Sequence, residues 1–247
     1  MPPLYQKSFL IPSFATDRFN RLKCSYLLGL AQVVAGEHSA LLKADFAHTH
    51  LYWVITRQRV QISRLPAAGE TITLETWPMP TTRVAYPRST IAYDQQGNEL
   101  FRSISLWVLM DPESRTMVLP GKSGVIVEGQ LRGSELAVPG SLIPGQQQNT
   151  TTRTVCYTEL DTNGHMNNAR YLDWMDDLLD TSFHKGHVPR ELTVCYISEA
   201  REGESIALHW DFNPDGTLQV DAIRPGEESA KHQRVFSGQI LFDGGVL

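Results

Sequence analysis

Gly69-Glu70-Thr71-Ile72-Thr73-Leu74, closing at Trp77, returns in the second half of the chain as Gly203-Glu204-Ser205-Ile206-Ala207-Leu208, closing at Trp210. Through the second copy and just beyond it, Ile206, Leu208, Trp210 and Phe212 alternate with Ser205, Ala207, His209 and Asp211. That period of two predicts a strand with one buried face. Asn213-Pro214-Asp215-Gly216 supplies turn chemistry before a further strand through Leu218, Val220 and Ala222. The first copy has the same surroundings: Asp94-Gln95-Gln96-Gly97-Asn98 lies between strands, and Ile104, Leu106, Val108 and Met110 alternate beyond it.

Working outward, each copy is preceded by a helical pattern. Leu22, Tyr26, Leu30 and Val33 are spaced for one helix. Tyr171, Met175, Leu178 and Ser182, widened by Leu172, Leu179 and Phe183, are spaced for another beginning near Ala169. The far face of the second carries Asp173, Asp176, Asp177 and Asp180, as a solvated acidic face would. Residues 120–149 are rich in Gly, Pro, Ser and Gln and keep no period, which reads as a long connection. Helix, strand, echo and hairpin thus occur twice, and an internal duplication is expected. The expected fold class is α+β, with two long helices each wrapped by an antiparallel sheet and the two sheets paired to protect their edges. The predicted spans are 1–118, a linker at 119–149, and 150–247.

Composition bounds what such a chain can be. Its 247 residues are 41% hydrophobic and 20% charged with a net charge of −5, which excludes a disordered, collagenous or coiled-coil chain. Three scattered cysteines, Cys24, Cys156 and Cys195, make neither a disulfide framework nor a zinc site and point to a reducing compartment. No leader of the secretory type opens the chain, and the apolar run around 27–34 falls short of the ~20 residues a membrane span needs. A cytoplasmic location follows as the expectation. Charge is divided unevenly, at net +3 for residues 1–118 and net −8 for 150–247. An acidic partner would prefer the first half, and nothing resembles a nucleic-acid footprint.

The densest polar cluster is Glu159-Leu160-Asp161-Thr162-Asn163-Gly164-His165-Met166-Asn167-Asn168, between a strand-like run at 154–158 and the second helix. Asn167 or Asn168 suits an N-cap and Gly164 a tight turn. Capping does not account for a carboxylate, an amide and an imidazole at alternate positions. Beside the positive end of a helix dipole, Asp161, Asn163 and His165 could polarise a carbonyl and orient an imidazole. The duplication offers a control: the matching segment, Asp17-Arg18-Phe19-Asn20-Arg21-Leu22-Lys23, has no histidine and no Asn-rich turn. One site per chain, in the second half, is expected. Aligning Gly69 with Gly203 sets Leu65 opposite Glu199, so this carboxylate too is specific to the second half. Spacing alone leaves Glu199 open between a functional group and an exposed strand-end glutamate like Glu202.

Leu160-Asp161-Thr162-Asn163-Gly164-His165-Met166-Asn167-Asn168, followed by Ala169-Arg170-Tyr171-Leu172-Asp173-Trp174, resembles the signature of the acyl-ACP thioesterases, which hydrolyse fatty acyl-acyl-carrier-protein thioesters in plants and bacteria. The resemblance extends to the duplicated plan over nearly the whole chain. It implies a tandem hotdog fold, an acyl-chain pocket in the first half and catalytic residues in the second. Without a transit peptide, a bacterial member is expected.

The resemblance also implies catalytic roles for Asp161, Asn163 and His165 and places Glu199 on the glutamate of a Glu-Cys pair, whose cysteine is here Ala200. A Cys-His-Asn mechanism through the matched position is thereby closed. Cys195 is no substitute, because four residues along a strand span roughly 13 Å. Cys195 and Cys156 read as buried apolar fillers.

The implied reaction uses Glu199 as base on water, or as nucleophile giving a transient anhydride. Asp161 and His165 position it, and Asn163 stabilises the thioester oxygen. Trp53, Trp77 and Trp107 are candidates to line the acyl slot. Arg57, Arg83, Arg88 and Arg170 are candidates to meet the acidic carrier protein. Other readings are an acyl-CoA thioesterase, an enoyl-thioester hydratase and a non-catalytic acyl-binding module. No cofactor is expected. Asp161, His165 and Glu199 have the ligand types for a metal, but no motif supports one, and His48/His50 and His184/His187 are weak pairs. A homodimer is among the assemblies the sequence admits.

Overall fold

The computed structural model describes residues 3–226 and 234–243. Residues at the outer ends of the two predicted spans, and 227–233 within the second, lie outside the described residues. The chain divides into two compact units, Met1–Pro139 and Gly140–Leu247.

In the first unit β1 (Tyr5–Leu10) leads to helix α1 (Cys24–Leu41), a short turn of helix α2 (Phe46–Thr49) and strands β2 (Tyr52–Ile62), β3 (Thr71–Pro78), β4 (Tyr86–Tyr93) and β5 (Glu99–Met110). A two-residue strand β6 (Met117–Val118) and a short helix α3 (Pro120–Ser123) follow. The strands are all antiparallel, in the order β1-β3-β4-β5-β2, with β6 on β5. The first echo is β3, and the Asp94 turn joins β4 to β5. The Asp94 carboxylate accepts the N–H groups of Gln96 (3.0 Å) and Asn98 (2.8 Å), and Gly97 takes the left-handed φ of +82° that the turn requires.

The 18-residue α1 buries Leu27, Leu28, Ala31, Val34, Ala35 and His38. The expected stripe was out of phase: Leu30 is buried, but Leu22 precedes the helix, Tyr26 is half-buried and Val33 is 43% exposed. Residues 27–34 are apolar almost all round, so the burial direction is set by the sheet and not by contrast within the helix.

The second unit repeats the plan. It comprises β7 (Asn149–Thr154), helices α4 (Arg170–Asp176) and α5 (Thr181–Gly186), β8 (Val188–Tyr196), β9 (Ser205–Phe212), β10 (Thr217–Ile223) and β11 (Arg234–Asp243). Its order β7-β9-β10-β11-β8 is the first unit's order with each strand replaced by its counterpart. Leu208, Leu218, Val220, Ala222 and Phe236 are fully buried. Buried Asp221 accepts the Gly145 N–H (3.2 Å) and the Gln147 side-chain amide (2.6 Å), tying the end of the connecting segment to β10.

The second helix differs from expectation. It is two pieces, broken at 177–180, not one long element. Asp176 and Asp177 sit at the C-terminal end of α4, where the helix dipole disfavours negative charge. Asp180 then restarts the helix as N-cap, its carboxylate accepting the Phe183 N–H at 2.8 Å. β7 also ends at Thr154, ahead of the strand-like run read at 154–158; residues Tyr157–Glu159 form a 3₁₀ turn. Among the described residues, no helix is long and apolar enough to cross a membrane.

Candidate active site

Asp161 organises the loop ahead of α4. Its N–H donates to His165 O (2.8 Å) and its carbonyl accepts the Gly164 N–H (3.0 Å). Its carboxylate Oδ1 accepts the N–H groups of Asn163 (2.8 Å) and His165 (3.4 Å). Gly164 adopts φ +77°, which a side chain would oppose. The loop is fastened on both sides. The Met166 N–H donates to Ala200 O at 2.8 Å, and the Asn167 N–H to Glu159 O at 2.8 Å. Asn167 Oδ1 then accepts the Ala169 N–H (2.9 Å) ahead of α4, whose N-cap is Ala169 and neither of the two asparagines expected there. The Glu159 carboxylate accepts the Cys156 N–H (2.8 Å) and the Trp174 indole N–H (2.6 Å), so α4 holds the approach to the loop.

Glu199 comes from the other side. β8 ends at Tyr196, where Ile197 and Ser198 both donate their N–H to Val235 O and leave the ladder. Glu199 therefore stands on a loop, a correction to the reading that set it four residues along a strand from Cys195. Arg224 braces this loop by donating to Ser198 Oγ (3.1 Å), to the Glu199 carbonyl and to the Glu204 carboxylate (2.8 Å). The Met166–Ala200 hydrogen bond sets residues 165 and 199 beside each other, and the side chains meet: His165 Nε2 lies 3.1 Å from Glu199 Oε2. The imidazole is 18% exposed and the carboxylate 38%, so the pair is held yet open to a reactant.

Asn163 is exposed; one of its amide hydrogens is drawn toward Asp161 Oδ2 at 3.5 Å. Tyr196 donates its hydroxyl to Asn168 O (3.0 Å), a second tie between the two sides of the site. Burial holds the Tyr171 and Tyr196 phenols above their ordinary pKa, so both stay protonated at neutral pH.

The internal control reads differently in three dimensions. Asp17 builds the same turn in the first unit: its N–H donates to Arg21 O (2.8 Å), and its Oδ1 accepts the N–H groups of Phe19 (2.8 Å) and Arg21 (2.9 Å). Leu22 N–H donates to Pro66 O at 2.8 Å, as Met166 does to Ala200. The Asp-centred turn is thus common to both halves, and the absence of a histidine had hidden it. What the second half alone has at the paired positions is His165 and Glu199, against Arg21 and Leu65. The Asp161 carboxylate is explained by the turn it holds.

Other expectations are redrawn. Cys195 is buried, but Cys156 is exposed at the start of the 3₁₀ turn and is no core filler. Of the candidate docking arginines, Arg83 and Arg170 are exposed, Arg170 pairing with Asp173 at 2.9 Å. Arg57 is half-buried and reaches Pro139 O, and Arg88 is buried and cannot meet a protein partner. The histidine pairs serve local structure: His184 Nε2 and His187 Nδ1 meet the carbonyl oxygens of Asp176 and Phe183, and His48 pairs with Asp45. The first unit contains a cavity of about 90 Å³ lined by Ala35, Leu42, Trp53, Met79, Tyr86 and Trp107 among others. Two of the three tryptophans proposed for an acyl slot line it; Trp77 is fully buried, its indole N–H on Glu135 at 3.2 Å. Arg224, Glu159 and Tyr196 were missed as supports. Glu159 stood inside the polar cluster, whereas nothing local to Arg224 marks it.

Residues 2–119 match the family described as the acyl-ACP thioesterase N-terminal domain, and residues 144–239 the acyl-ACP thioesterase C-terminal domain. A chloroplastic palmitoyl-acyl carrier protein thioesterase of Gossypium hirsutum is 23% identical, over 93% of this chain and 59% of its own length. An oleoyl-acyl carrier protein thioesterase 1 of Arabidopsis thaliana is 23% identical over 82% of this chain and 62% of its own. The chain spans about three fifths of the length of these plant relatives. Among solved structures, an acyl-ACP thioesterase from Bacteroides thetaiotaomicron superposes with a TM-score of 0.88 at 21% identity, covering 98% of both chains. A 12:0-ACP thioesterase from Umbellularia californica gives 0.81 at 18% identity, covering 99% of both. These likenesses show the fold, an α+β tandem hotdog.

Proposed function

The chain belongs to the acyl-ACP thioesterase family, and from that membership we propose that it hydrolyses fatty acyl thioesters borne on acyl carrier protein, releasing the free acid and the carrier thiol. The observation that carries the reading is the 3.1 Å contact between His165 Nε2 and Glu199 Oε2 on a half-open surface. Glu199 takes a proton from water as the water attacks the thioester carbonyl. His165 donates to Glu199 and keeps its carboxylate aimed. Asn163 offers an amide N–H to the oxygen on which charge develops. Asp161 acts through the loop, placing Asn163 and His165 by their backbone N–H groups. Attack by Glu199 itself, with a transient anhydride, is the variant of this mechanism.

The apolar cavity of the first unit serves as the acyl-chain slot, which completes the division of labour read from the sequence for 1–118, the linker at 119–149 and 150–247. Three free thiols fit a reducing compartment such as the cytoplasm. A homodimer belongs to the same reading, checked by light scattering on the purified chain.

Incubation with a ladder of acyl-ACP substrates tests the activity. Free acids and carrier thiol are the expected products. A hydroxyacyl thioester would identify an enoyl hydratase, binding without turnover an acyl-binding module, and equal or faster cleavage of acyl-CoA a coenzyme A thioesterase. The carrier is acidic and residues 1–118 carry net +3. Raising salt from about 50 to 500 mM is therefore expected to raise KM for acyl-ACP several-fold while leaving a small thioester analogue little changed. Equal sensitivity of the two substrates would remove the electrostatic docking surface.

A further inference from the structure

Ten of the twelve buried polar or charged residues found among the described residues lie in the first unit, and one of them, Arg88, carries a full charge. Arg88 sits on β4 with only 9% of its surface exposed. Buried charges are almost always paired with an opposite charge, since removing an ion from water costs several kcal/mol. Arg88 has no carboxylate. Its Nη1 donates to His38 Nδ1 (3.1 Å) and Thr76 Oγ1 (3.3 Å), both neutral acceptors that leave the charge without a counter-charge. Burial alone pushes the guanidinium down, to about 10, which still leaves it charged at neutral pH.

Arg88 also lines the cavity, together with Gln32 of α1, whose buried Nε2 has no hydrogen-bond partner among the described residues. The remaining lining is largely hydrocarbon and indole: Ala35, Leu42, Trp53, Met79 and Trp107. An apolar slot for a plain saturated chain has no use for a cation and an amide with unused hydrogens, each of which makes the empty slot costlier to bury. The arrangement suits a chain that is mostly hydrocarbon but brings one acceptor oxygen.

We propose that the cavity of the first unit selects acyl chains that carry an oxygen function, a hydroxyl, keto or carboxylate oxygen, which accepts hydrogen bonds from Arg88 and Gln32. The inference rests on the acyl-thioesterase reading and deepens it by naming the substrate class.

The test compares kcat/KM for acyl-ACP substrates of matched length in three forms: unsubstituted, hydroxy- or keto-substituted, and ω-carboxylated. The oxygenated forms are expected to lead the unsubstituted chain by about 10–100-fold, the range one charge-assisted hydrogen bond supplies. The lead of the hydroxy or keto chain over the ω-carboxylate, or the reverse, says whether the oxygen is neutral or anionic. Arg88→Met is expected to bring the ratio of kcat/KM for oxygenated over unsubstituted chains to about one, whatever the absolute rates become. A wild-type enzyme that favours the unsubstituted chain at every length overturns the proposal and leaves the thioesterase reading intact, as does an unchanged preference in R88M. If no thioester of any kind is cleaved, the thioesterase reading fails instead. The subsite is then judged by binding alone: free hydroxy, keto or dicarboxylic acids must raise the melting temperature of the wild-type chain more than the matched plain acid does, and no difference refutes it.

Discussion

Replacing Glu199 by glutamine is expected to lower the rate of acyl-ACP hydrolysis by about 10²–10⁴-fold, the usual worth of a positioned general base. The substitution keeps the shape of the side chain and a polar contact for His165 Nε2, now 3.1 Å from the carboxylate, but removes the lone pair that takes the proton. Because the side chain is 38% exposed and lies outside any strand, folding is expected to change little, within about 0.5 kcal/mol. The loss should fall on kcat, with KM held, since the group meets the water and not the acyl chain. A variant that retains near-wild-type kcat removes Glu199 from the chemistry. A single turnover in ¹⁸O-labelled water tests the nucleophile: label entering the Glu199 carboxylate requires an anhydride opened by water at the glutamyl carbonyl.

The second large effect is on stability. Phe236 of β11 is fully buried, its ring centroid 4.6 Å from that of Tyr171 on α4, and in register it faces Tyr196 of β8. Phe236→Ala leaves a cavity between helix and sheet and is expected to cost about 3–5 kcal/mol, seen as a fall in melting temperature on the order of 10 °C. Tyr196 is tied to Asn168 O at the end of the site loop (3.0 Å), so activity at 25 °C should fall as well. The signature differs from that of E199Q: the F236A melting curve moves, and the E199Q curve does not. A melting temperature lowered by less than about 2 °C would mean that the site collapses around the missing ring and that the packing assigned here is not the unit's main support.

Much of this architecture was legible in the chain because it is written in short-range chemistry. The two echoes became β3 and β9. The turns at 94–98 and 213–216 became the expected hairpins, because Gly97 and Gly216 occupy positive φ where strand pairs reverse. The Asp161–His165 loop was legible as polar groups with no capping excuse. The features that escaped depend on long-range packing. Val33 was assigned to the buried stripe because residues 27–34 offer no polar contrast to fix the phase of α1. The break between α4 and α5 falls at Asp176, Asp177 and Asp180, which in sequence are indistinguishable from a solvated helix face. Arg88 was expected at the surface because arginine generally lies there; only the pairing of β4 between β3 and β5 under α1 reveals that it does not. Glu199 and His165 were chosen separately, and no spacing in the chain announces that Met166 and Ala200 would join their neighbourhoods by a backbone hydrogen bond.

The twin Asp-centred turns carry an implication for ancestry and for engineering. The first unit keeps the frame, Asp17 and the Leu22–Pro66 link, with arginine and leucine standing where the reactive pair stands in its sibling. Scaffold and reactivity are therefore separable inheritances. The frame of the first unit is thus ready to receive Arg21→His and Leu65→Glu without a rebuilt loop.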